Sequence, residues 1–171
     1  MRLIPALVLA LAAAAWTFVG PLPARAQQVP QPQEFADVAA FSSGFEVEAA
    51  QLALMKAQNA DIKAFAEDMA RDHGKVTERL AEAAKQEGIT LPSAMDGDFR
   101  RKMDALKAAP PEEFDRFYLS TQATVHSDAI ALFELYSQKG PDGALKKFAA
   151  ETLPTLRMHQ MRIEQLRSRQ G

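Results

Sequence analysis

The sequence predicts an all-α fold: a four-helix bundle with one long crossover that carries a short helix. Three observations lead there. Apolar residues recur in threes and fours along four long stretches. No segment alternates as a half-buried strand would. The breaks between stretches are unequal, tight after the first and third but long after the second.

The first 26 of the 171 residues stand apart. Arg2 precedes an apolar run, and Ala24-Arg25-Ala26 supplies the small-x-small pattern of a cleavage site. This predicts a secretory signal peptide over residues 1–26. The run approaches membrane-spanning length, so an uncleaved anchor is the rival. Pro5 inside the run and the Ala-x-Ala after it favour cleavage, which leaves the mature chain without a stable membrane anchor. Removing Arg2 and Arg25 leaves 18 basic residues against 22 acidic ones, a net charge of −4. That balance argues against nucleic acid or anionic lipid as the main partner. The chain has no cysteine, which excludes a lipoprotein anchor, disulfides, thiolate metal ligands and thiol catalysis. The expected address is secreted and periplasmic. Oligomeric state is left open, a homo-oligomer included.

Residues 27–33 are rich in Gln and Pro and predict a disordered leader; the helical domain covers residues 34–171. The first long helix runs from about Glu34 to Asn59, with Val38, Phe41, Phe45, Glu48, Leu52 and Met55 as its inner stripe. Asn59-Ala60-Asp61 is a tight break. The second helix covers about Asp61 to Glu87 and stops at Gly88. Its inner face is Ile62, Ala66, Met69, His73, Val76 and Leu80. Ser93 is placed to cap a short helix through Phe99, Met103 and Leu106. Pro110-Pro111-Glu112-Glu113 opens the third long helix, which runs to Lys139. Gly140-Pro141-Asp142-Gly143 is a turn. The last helix runs to about Arg169, with Pro154 expected to kink it. A helix of about 27 residues is roughly 40 Å long, and the link from Gly88 to Pro110 can cover that distance. Two tight hairpins joined by a long crossover is the ferritin-like topology.

Each long helix places one polar residue on its inner stripe near mid-length: Glu48, His73, His126 and His159. Counted from the first turn, Glu48 and His73 lie at matching depth. His126 and His159 differ by about one turn, or roughly 6 Å. Three imidazoles and one carboxylate suit a single Zn, Cu or Fe(II) ion. The competing class is a structural or protein-interaction module without metal. There, the four groups hydrogen-bond one another, Glu48 pairs a protonated histidine, and together they set helix register.

The ordered set Phe45-Glu46-Val47-Glu48, Leu52-Ala53, Lys63-x-Phe65-Ala66, Asp72-His73, Gly88-Ile-Thr-Leu-Pro92, Phe114-Asp115-x-x-Tyr118, His126 and Leu153-Pro154-x-Leu156-x-x-His159 resembles the DUF4142 family. The resemblance covers nearly all of the mature chain. It implies a ferritin-like fold and an envelope location in bacteria, and it implies little about activity. A di-iron ferritin-like site takes Glu, Glu-x-x-His, Glu and Glu-x-x-His from its four helices. Here Ala70 and Leu156 stand where the two Glu-x-x-His carboxylates belong, and His126 replaces the third-helix Glu. No di-iron ferroxidase chemistry is expected.

Other residues receive simpler readings. Glu46 reads either as a carboxylate behind the metal ligands or as a solvated or polar-interface residue, the latter favoured, and Asp72 is expected to point about 100° away from His73 and pair with a lysine or arginine. Asp115 is expected to hydrogen-bond near a helix start. Gly74 is expected to permit close backbone packing, and Met55, Met69, Met158 and Met161 to fill core. No nucleophile triad, P-loop or dinucleotide fingerprint is present, so nothing in the sequence calls for an enzyme.

Overall fold

A computed structural model describes residues 28–170, which form five α-helices. They are α1 (Pro32–Lys56), α2 (Ala60–Gln86), α3 (Gly97–Ala108), α4 (Phe114–Lys139) and α5 (Ala144–Ser168). Among the described residues there is no strand. None of these helices is long and apolar enough to cross a membrane. The predicted signal peptide lies outside the described residues.

The four long helices close a square. α1 packs on α2, α2 on α5, α5 on α4, and α4 on α1. The crossover carries α3 across the α1 and α4 side. This is the expected ferritin-like topology, reached by local chemistry. Asn59 caps α2 by accepting from the Asp61 amide at 2.7 Å. α2 ends in a Schellman arrangement: Gly88 has φ 67, its amide donates to the Lys85 carbonyl, and that of Ile89 donates to Ala84. Leu145 at the start of α5 donates its amide to Glu87 Oε1 at 2.7 Å, tying the end of α2 to the second hairpin.

Several boundaries differ from the sequence reading. α1 begins at Pro32, with a capping box between Gln31 and Glu34, and Val29 packs on the core. Residues 28–33 therefore belong to the ordered structure. The short helix is capped by Asp96, which accepts from the Asp98 and Phe99 amides, and not by Ser93. α4 starts at Phe114, because Pro111 to Glu113 form a turn. α5 runs without interruption through Pro154.

The larger difference is the face of α1. Its buried residues are Phe35, Ala36, Ala39, Ser42, Ser43, Phe45, Glu46, Ala49, Ala50 and Ala53. Val38 and Met55 are exposed, and so is Glu48. Large apolar side chains surround this helix, so their spacing alone does not mark the inner face. Alanine and serine line it instead, letting α2 approach closely. Among the methionines read as core, Met69 is buried whereas Met55, Met158 and Met161 are exposed.

Candidate metal centre

His73 on α2, His126 on α4 and His159 on α5 meet in the bundle interior. All three are buried. One ring nitrogen from each lies within 4.8 Å of the other two, and the ring centroids are 5.5, 5.5 and 5.6 Å apart. The one-turn offset between His126 and His159 disappears for a geometric reason. Side chains on a helix lean toward its N-terminus. In the antiparallel α4–α5 hairpin His126 leans away from the connecting turn and His159 leans toward it, so the two rings converge.

The fourth residue differs from the expected one. Glu48 is exposed and borders a surface pocket with Met95 and Arg100. Glu46, two residues earlier, is 1 % exposed, and its Oε1 lies 3.3 Å from His126 Nδ1. The two positions differ by about 200° around a helix, so choosing the wrong stripe moves the carboxylate to the opposite side. The small inner face, Ser42, Ser43, Ala49 and Ala53, is the signal that could have located Glu46.

Each ring is set by what it donates to. His126 Nδ1 lies 3.1 Å from the Gln122 carbonyl, which can only accept, so Nδ1 carries the proton and Nε2 keeps its lone pair. His159 Nε2 lies 3.1 Å from Asp72 Oδ2, so Nε2 donates and Nδ1 is free. His126 Nε2, His159 Nδ1 and both nitrogens of His73 have no partner within the protein. Asp72 pairs with Arg71 as expected and also with His159, a contact the sequence reading lacked.

Burial keeps the three rings neutral. Desolvation, and then the proximity of His126 and His159, lowers the pKa of His73 well below its ordinary value. Desolvation also brings His126 down to about 3 and lowers His159, the latter partly offset by its bond to Asp72. Desolvation raises Glu46 to about 8. Burial works against ionised Asp72 too, but bonds from Arg71 and His159 outweigh it and hold its pKa below the ordinary value. Burial thus favours the neutral forms of both Glu46 and His126.

The arrangement matches a histidine-ligated metal site. Three neutral imidazoles bring one ring nitrogen each within 4.8 Å of the others, and a carboxylate and a carbonyl acceptor fix two of the rings. A tetrahedral ion with Zn–N bonds near 2.0–2.1 Å needs its nitrogens roughly 3.4 Å apart, so small ring movements complete it. Glu46 and Asp72 stand outside the group of mutually close ligand atoms, which places them behind the ligands. Buried polar atoms without partners are costly, about 1–3 kcal/mol each. Here four of the ten are ring nitrogens of the three converging histidines and two belong to Glu46 beside His126, the rest lying on Tyr118, Gln122 and Gln160. Such clustering fits a bound ion with accompanying water better than a dry polar core.

Fold and site together define a ferritin-like helical bundle with a three-histidine core. The family model for DUF4142, a domain of unknown function, matches residues 19–166, and the chain belongs to that family. Its backbone is similar to the crystal structure of a DUF305 fragment from Deinococcus radiodurans, with a TM-score of 0.68 and 16% identity. The match covers 82% of this chain and 99% of that one. No curated protein matches the chain.

Proposed function

We propose that this is an exported envelope protein that binds a single transition-metal ion in its bundle core. His73, His126 and His159 are the ligands; the Gln122 carbonyl and Asp72 orient His126 and His159, and Glu46 lies beside His126. The observation that carries the reading is the convergence of one ring nitrogen from each of three buried histidines, on three different helices, within 4.8 Å of one another. Neutral nitrogen donors in a chain without cysteine favour Zn, Cu or Fe(II) over the hard ions Mg and Ca. Ala70 and Leu156 offer no bridging carboxylate, so the site holds one ion and lacks di-iron oxygen chemistry. The export half of the reading rests on the pattern of residues 1–26.

Elemental analysis of the mature protein, purified without a metal-affinity tag, tests the site. Near one equivalent of a transition metal is expected, lost in His73→Ala, His126→Ala and His159→Ala but retained in Glu48→Ala. Glu46→Gln is expected to weaken binding about 10–100-fold, the usual effect of removing an outer-shell partner. No metal in the wild type, and no thermal shift on adding Zn²⁺, Cu²⁺ or Fe²⁺, overturns the reading in favour of a metal-free structural or interaction module. Cell fractionation tests the address, since a cytoplasmic mature chain contradicts export.

A further inference from the structure

The three histidines are enclosed, so an ion needs a way in. Around His126 the neighbours Glu46, Gln122 and Tyr118 are each no more than 1 % exposed. Beside His73 on α2, Met69 and Val76 are buried, and Ser43 of α1 donates to the His73 carbonyl. All three rings are nearly sealed from solvent, His159 at 2 %. Its partner Asp72 has a side chain 16 % exposed, so this is the edge of the cluster that reaches solvent. Arg71 closes that edge. Its Nε lies 3.1 Å from Asp72 Oδ1, and its Nη1 lies 2.7 Å from Asp68 Oδ1.

We propose that the metal ion enters and leaves at the Asp72 edge of the α2–α5 seam, with Arg71 as the latch over that port. The proposal rests on the metal reading of the three-histidine site. Asp68 and Asp72 sit four residues apart on α2 and face the same side. One guanidinium bridges both and neutralises half of their charge. An arriving divalent cation competes with Arg71 for the two carboxylates. Asp72, already bonded to His159, then delivers the cation to a ring whose other nitrogen is free. Arg71 is itself 54 % exposed, so its displacement into water costs little.

Stopped-flow transfer of Zn²⁺ between a chromophoric chelator and the full mature protein tests the latch. Arg71→Ala leaves two adjacent carboxylates uncompensated and is expected to speed uptake about tenfold at low salt, an advantage that shrinks as salt rises. Release is expected to quicken as well, so the dissociation constant changes less than either rate. Arg71→Lys keeps the charge but loses the two-pronged grip, and its rates are expected between the two. Arg79→Ala is the control. It breaks a different exposed α2–α5 ion pair, with Glu151 at 2.5 Å, and should match wild type. Arg71→Ala rates equal to or slower than wild type, in a protein that does bind Zn²⁺, overturn the port and leave the metal site standing. A wild type that takes up no Zn²⁺, Cu²⁺ or Fe²⁺ overturns the metal site, and the port with it.

Discussion

Glu46 and His126 lie 3.3 Å apart, and burial drives them in opposite directions. In the metal-free protein Glu46 holds its proton up to about pH 8, whereas the unfolded chain releases it near 4.5. Between those values the folded state binds more protons, so stability falls as pH rises. His126 behaves the other way. The unfolded chain protonates it near 6.5 and the folded chain only near 3, so stability rises with pH up to about 6.5. His73 and His159, lowered in the same sense, add to that rise. As the three contributions fade above pH 6.5, Glu46 takes over the slope. The metal-free wild type is therefore expected to lose stability between pH 6.5 and 8, and Glu46→Gln to flatten that loss. Urea midpoints in the presence of a chelator, at both pH values, measure this. A wild type with no decline, or a Gln variant with the same decline, contradicts it. At this scale the histidines were legible because each falls on a stripe of larger apolar neighbours. Glu46 was not, because its neighbours on the inner face are too small to register as apolar periodicity. Asp72 escaped for another reason. Its contact with His159 joins helices 87 residues apart in sequence, and spacing along α2 carries no trace of that contact.

At the scale of elements, capping and turn chemistry made the helices and their order legible. Asn59, Gly88 and the Gly140–Gly143 turn act where their residue types predict. Asp115 also hydrogen-bonds near a helix start, but the start belongs to another helix: it accepts from the Gln58 and Asn59 amides just before α2. It thus fastens α4 to the first turn. Gly74 does not serve the purpose assigned to it. A Cβ built there meets nothing within 4 Å, and the same holds for Gly44. Both lie inside helices, where glycine costs about 1 kcal/mol relative to alanine. Gly74→Ala is expected to stabilise the protein by about that amount, a rise in Tm of roughly 2–4 °C for a chain of this size. Gly88→Ala is expected to destabilise by about 1–2 kcal/mol, because a side chain is strained at its positive φ. Thermal melts of the two variants check both signs; a lower Tm for Gly74→Ala would mean that its surroundings tighten in solution.

At the scale of the whole molecule, the three histidines of the proposed site come from both hairpins. α2 and α4 occupy opposite corners of the square, and α5 packs on both. His73 and His126 approach across that diagonal, with ring centroids 5.5 Å apart. An ion held by all three rings therefore joins the two hairpins through their centre, where helix packing alone leaves partnerless nitrogens. Two opposite effects on stability follow. Without metal the rings are a burden, because their free nitrogens are desolvated and unpaired. On the proposed metal reading, a bound ion would add a direct link between the hairpins. Adding an ion at 100 times its dissociation constant is expected to stabilise the wild type by about 2.7 kcal/mol, several degrees in Tm. Replacing all three by leucine is expected to reverse the ranking. The triple variant should melt above the wild type in chelator, since an apolar residue of similar volume removes the unpaired polar groups. It should melt below the wild type in saturating metal and show no shift of its own. If the histidines instead served only to fix helix register, the triple variant would be the less cooperative protein in chelator, and metal would move neither melt. Paired calorimetric scans with and without metal separate the two, because only a binding site makes the order of the two proteins depend on the ion.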